Sequence, residues 1–84
     1  MNGKTTNKSD GRQAMSPSAF KQWRKSLKLS QKEAADALGL KRRIVQYYEK
    51  GERNGEPVEV PKTVRLACFA LAKGCKDYTG PDDS

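Results

Sequence analysis

Between residues 30 and 51 the chain reads SQKEAADALGLKRRIVQYYEKG, with apolar or small residues at Ala34, Ala35, Leu38, Leu40, Val45 and Tyr48. That spacing predicts two short helices joined at Gly39, a residue free to take the left-handed backbone conformation. Ser30 stands where it caps the first of them, and Glu33 follows three residues on, where a capping box places its carboxylate. Ala35 lies four residues before Gly39, and a small side chain there lets a second helix cross closely. The second helix, over about residues 42–50, divides into two faces when wound at about 100° per residue. Ile44, Val45 and Tyr48 share an arc roughly 100° wide, as a core face requires. Arg42, Arg43, Gln46, Tyr47 and Lys50 fill the opposite side, with Glu49 at the border.

The flanking segments supply what such a pair of helices needs to pack against. Ser16 followed by Pro17 is a helix start, a capping serine before a proline in the first turn. The helix it opens is predicted to run to about Lys28, burying Phe20, Trp23 and Leu27 and turning Lys21, Lys25 and Lys28 outward. After Gly51 the segment GERNGEPVEVP is read as a long loop. Within it Val58, Glu59 and Val60 alternate, as extended coil or as a brief strand paired with a second copy. A last helix is predicted from about Pro61 to Gly74. Val64, Ala67, Cys68 and Leu71 form one apolar face, and Leu66, Phe69 and Ala70 form a second. A domain of this size covers only one of them, so the second is a candidate homodimer interface, with cover by the long loop as the alternative. The expected fold class is all-α: a compact bundle of about four helices containing a helix-turn-helix, with a disordered N-terminal arm. Residues 1–15 make the flexible basic arm, 16–74 the domain, and 75–84 a polar tail.

Eighty-four residues make one domain. The 17 Lys and Arg outnumber the 10 Asp and Glu, giving a net charge of +7 and an isoelectric point near 9.7. Such a field favours polyanions without choosing among DNA, RNA and anionic membranes. The excess is local. Residues 1–50 hold 12 cations and 4 anions, whereas residues 51–84 hold 5 and 6. The arm (Lys4, Lys8 and Arg12 against Asp10) is read as a solvated tail, with phosphate or minor-groove contact as the alternative. No apolar run reaches bilayer length and no signal-peptide core is present, so a cytoplasmic location is expected. With no His and only Cys68 and Cys75, seven residues apart on one helix, neither an internal disulfide nor a metal site is expected. No nucleophile–base pairing, glycine-rich phosphate loop or paired carboxylates are visible, so the chain reads as a non-enzyme with no cofactor and no small-molecule effector.

The polar face of the second helix has specific chemistry. Guanidinium groups near a helix N-terminus fork onto guanine O6 and N7, and a carboxamide pairs with adenine N6 and N7. A polar helix of this kind, second in a tight two-helix unit, is the arrangement of a helix-turn-helix. The segment from Phe20 to Gly51 resembles the phage-repressor and Cro type, the XRE-like family. It does so at Phe20, Trp23, Arg24, Leu29, Ser30, Gln31, Ala35, Leu38, Gly39, Val45, Tyr48, Glu49 and Gly51. Two positions depart from the family pattern: Ala34 stands for the usual Leu, and Lys41 for the usual Ser or Thr cap. An absent cap costs ~1 kcal/mol, and a lysine there opposes the helix dipole.

The resemblance implies an ion pair between Arg24 and Glu49 and a Gln31 set against the DNA backbone. From both lines together, Arg42, Arg43, Gln46 and Tyr47 are expected to read base edges of double-stranded DNA. Gln31, Lys41, Lys50 and Arg53 are expected to contact phosphates. The expected function is a sequence-specific transcriptional regulator, a dimeric repressor on an inverted repeat, with Leu66, Phe69 and Ala70 joining the copies. The size is similar to compact phage regulators, including anti-CRISPR-associated repressors. The alternatives are an antitoxin-type module that binds a partner toxin as well as DNA, and a binder of nucleic acid by charge alone.

Overall fold

The structure is a computed structural model that describes residues 14–81. The expected disordered arm falls almost wholly outside the described residues. Four helices follow one another: α1 (Pro17–Ser26), α2 (Gln31–Leu38), α3 (Arg42–Lys50) and α4 (Lys62–Ala72). Between α3 and α4 lies a short antiparallel hairpin, β1 (Glu52–Arg53) with β2 (Glu56–Pro57), registered Glu52 to Pro57 and Arg53 to Glu56.

Local chemistry explains most of the boundaries. The Ser16 hydroxyl accepts from the Ala19 N–H, and Pro17 occupies the first turn. At Ser30 both halves of a capping box form: the hydroxyl accepts from Glu33 N, and the Glu33 carboxylate accepts from Ser30 N. Gly39 ends α2 in the left-handed region at φ 74°. Helix α1 is two residues shorter than the spacing suggests, because Lys28 itself turns left-handed at φ 60°. Helix α4 likewise stops at Ala72, ahead of Gly74 at φ 89°.

The segment after Gly51 departs most from expectation. Asn54 and Gly55 both have positive φ, 54° and 82°, which is what a two-residue hairpin turn matching strand twist demands. The Val58 N–H then donates to the Gly51 carbonyl at 3.0 Å and draws the return strand onto the end of α3. Val58-Glu59-Val60 forms no strand. It is extended chain whose Val60 enters the core.

That core is Phe20, Ala35, Val45, Tyr48, Val60 and Cys68, ringed by Met15, Trp23, Leu38, Leu40, Ile44, Val58 and Val64. Phe20 is its hub. Its ring meets Tyr48 edge-on at 5.4 Å between centroids and lies 5.3 Å from Trp23. Burying one such ring fully contributes about 1.5–3 kcal/mol. The Trp23 indole N–H donates to the Cys68 carbonyl at 2.9 Å, which fastens α1 to α4 without leaving a buried donor unpaired. Gly51 closes α3 at φ 83°, and a Cβ there would lie 2.9 Å from Pro17 Cγ. The close approach of α1 to the end of α3 therefore depends on a missing side chain.

Candidate nucleic-acid interface

Helix α3 is held on one side and open on the other. Val45 and Tyr48 are buried and Ile44 is half-buried, whereas Arg42, Arg43, Gln46 and Lys50 are exposed. Lys41 precedes the helix in extended conformation and makes no side-chain cap. Three cations and a lysine cap thus share one end or face of a nine-residue helix, with no acidic residue in its first turn. A positive helix N-terminus that also carries cationic side chains is unfavourable on its own and attracts anions.

Glu49 is the tether that orients this face. Arg24 Nε lies 2.5 Å from Glu49 Oε2, and Arg24 Nη2 donates to Oε1 at 3.2 Å. Arg24 Nη1 also donates to the Leu29 carbonyl at 2.9 Å, so one guanidinium joins α1, the turn before α2 and the end of α3. The two side chains keep only 11% and 8% of their surface exposed. Burial alone would raise the Glu49 pKa. Hydrogen bonds from Arg24 and Gln31, with the charges of Arg24 and Lys21, outweigh it and hold the carboxyl below its ordinary range.

The residues singled out from the sequence fall into three groups. Gln31 is drawn into the tether: its Nε2 donates to Glu49 Oε1 at 3.1 Å, and its Oε1 accepts from Gln46 Nε2 at 3.3 Å. Tyr47 and Arg53 meet each other, with the guanidinium carbon 5.1 Å from the ring centroid, within cation–π range. The hairpin is what brings Arg53 there, and the Asn54-Gly55 pair was the sequence signal for it. Arg42, Arg43, Lys41 and Lys50 stand outward around the same helix.

Leu66, Phe69 and Ala70 lie elsewhere, on α4. Leu66 is 59% exposed and Phe69 63%, so the long loop does not cover them, while Ala70 is half-buried. The Lys73 ammonium lies 5.4 Å from the Phe69 ring. Beside them Ala37, Ala67, Ala70, Leu71 and Tyr78 line a shallow cavity. Cys68 is buried, and burial pushes its thiol up to about 11; Cys75 is exposed. Among the described residues no cluster of His, Cys, Asp or Glu could hold a metal ion, and no helix is long and apolar enough to cross a membrane.

Comparison with known proteins bears on the same segment. No curated protein matches the chain. A solved structure from Nitrosomonas europaea, named a "putative DNA binding protein", is similar at 34% identity with a TM-score of 0.61. The similarity covers 70% of this chain and 35% of that one, so this chain spans about a third of its length. A helix-turn-helix family model matches residues 20–54, from the hub of the core to the turn of the hairpin. Within that match, α2 and α3 stand as the two helices of a helix-turn-helix.

Proposed function

We propose that the protein is a sequence-specific DNA-binding transcriptional regulator, a non-enzymatic repressor that acts as a homodimer on an inverted repeat. The observation that carries this reading is the division of α3. Its apolar arc is locked into the core, while Arg42, Arg43, Gln46 and Lys50 face solvent at the edge of a domain tethered through Glu49. In the major groove, Arg42, Arg43, Gln46 and Tyr47 would meet base edges, with Arg43 foremost because it lies in the first turn near the middle of the polar arc. Lys41, Lys50 and Arg53, with the start of α2 at Gln31, would meet phosphates on either side. One helix reads only a few base pairs, and two-fold pairing through Leu66, Phe69 and Ala70 would place two such helices about 34 Å apart on successive major grooves.

The test compares two substitutions on the site selected from randomised duplexes and on random duplex, across a salt series. Arg43→Ala should cost about 1–3 kcal/mol on the selected site and relax one base pair per half-site. Lys50→Ala should weaken all sequences alike and reduce the salt slope. Equal losses on both duplexes for Arg43→Ala would make that residue a phosphate contact, and binding without any sequence preference would reduce the protein to a binder by charge alone.

A further inference from the structure

Four polar side chains link the interior of the domain to the outer face of α3, and each fixes the sense of the next. Arg24 only donates, and it engages both oxygens of the Glu49 carboxylate. An ionised carboxylate only accepts, so the Gln31 amide must turn its nitrogen toward Glu49, at 3.1 Å. The Gln31 carbonyl oxygen is then the atom left to face Gln46, and it accepts from Gln46 Nε2 at 3.3 Å. An amide oxygen cannot donate, so the Gln46 nitrogen is the atom drawn to it. The two ways round in which a glutamine amide can ordinarily sit are thereby reduced to one at both residues.

We propose that Gln31 is a positioning residue for base recognition: it holds the Gln46 amide in one sense and so sets a preference for adenine opposite Gln46. The inference rests on the DNA-binding reading above. With one Gln46 N–H committed to Gln31, the amide keeps its carbonyl oxygen and a second N–H for a ligand. That acceptor-and-donor pair matches adenine, which offers an N6 amino donor beside an N7 acceptor in the major groove. Guanine offers O6 and N7, two acceptors, and would set its O6 against the Gln46 oxygen. Ordering Gln46 before DNA arrives also removes part of the entropy cost of fixing it there. That portion corresponds to about three- to tenfold in affinity for one side chain.

Two measurements on the full chain test this. In the DNA-free protein, NMR relaxation of the Gln46 side-chain amide should show a restrained group in the wild type and a mobile one in Gln31→Met. That substitution keeps the length of the side chain and removes both hydrogen bonds. Competition among duplexes substituted at each base pair of the selected site should then show Gln31→Met losing about three- to tenfold of its adenine discrimination at one base pair per half-site. In a Gln46→Ala background, Gln31→Met should cause no further loss there. A Gln46 amide already mobile in the wild type overturns the proposal and needs no variant to fold; it leaves DNA binding untouched. Loss spread over all base pairs, or the same loss with and without Gln46, also overturns it and marks Gln31 as merely structural. If the wild type selects no sequence at all while its Gln46 amide is restrained, the DNA-binding reading has failed and the recognition role falls with it.

Discussion

Replacing Glu49 with glutamine removes one charge and almost no volume, and so isolates the tether. Arg24 would remain with 11% of its side chain exposed, facing a neutral amide and the Leu29 carbonyl. Breaking a buried ion pair by removing one partner costs about 3–5 kcal/mol. The new amide oxygen still accepts one hydrogen bond, and some water reaches both groups, so the expected loss is about 2–3 kcal/mol. In a domain of this size that corresponds to a fall in Tm of roughly 10–20 °C. The pH dependence gives a second signature. The folded carboxyl titrates below its ordinary range, so its stabilisation is fully present above the unfolded value and is lost as pH falls through the lower folded value. Thermal melts followed by circular dichroism at matched ionic strength should show a wild-type advantage that is flat from pH 7 to about pH 5 and shrinks below about pH 4. A fall of less than about 3 °C at neutral pH, or an advantage that does not shrink on acidification, would refute the account.

Phe69→Asp should give a folded protein with a melting temperature close to wild type, because the ring is 63% exposed in one chain. On the proposed pairing, sedimentation should show a dimer for the wild type and a monomer for the variant, and a variant that still dimerises removes α4 from the interface. Gly51→Ala should destabilise in urea more than Gly39→Ala. Both pay the left-handed penalty of about 1–2 kcal/mol, but only Gly51 brings a new Cβ to 2.9 Å from Pro17, so equal losses would deny that contact. Cys75 should react at once with a thiol reagent at pH 8. Cys68, whose thiol burial pushes up to about 11, should react only on unfolding, and two fast thiols would mean the core is not closed.

The helices were legible because each announces itself over a short stretch of sequence. Ser16-Pro17, the Ser30–Glu33 box and Gly39 act within four or five residues, and the two faces of α3 follow from winding alone. The errors lie where tertiary context overrides local sequence. Lys28 adopts a positive φ that lysine disfavours, because Leu29 must place its carbonyl on Arg24 and Ser30 must cap α2. The hairpin was hidden by its brevity: two residues per strand carry no alternation, and the proline in β2 argues against a strand. Only Asn54-Gly55 signals it, through the positive φ both residues adopt. Val60 gives no such signal, because one buried valine in an extended segment has no period to reveal it. At the site, the outward residues of α3 were readable from one helix, and the Arg24–Glu49 pair from the resemblance. The link from Gln31 to Gln46 joins residues 15 positions apart across a helix crossing that neither helix encodes separately.

The way α3 is secured bears on why so short a helix can present a reading face at all. Nine residues do not form a stable helix in water on their own, and α3 begins on a lysine that provides no cap. Its order comes from its other features: Val45 and Tyr48 in the core, Glu49 clamped by Arg24, and Gly51 seated on Pro17. The hairpin folds back so that Arg53 covers Tyr47. Most of these fastenings lie on the inner side or toward the C-terminal end. The N-terminal end, with Lys41, Arg42 and Arg43 gathered where the helix dipole is already positive, has no acidic residue in its first turn to compensate it. On the proposed reading a polyanion would supply countercharge at that end without disturbing the contacts that hold the other. On the proposed reading, the residues that fold α3 and the residues that read DNA are largely separate sets, joined through Gln31, Glu49 and the Tyr47–Arg53 contact. Stability and specificity are then coupled at those positions and can be changed more independently elsewhere on the helix.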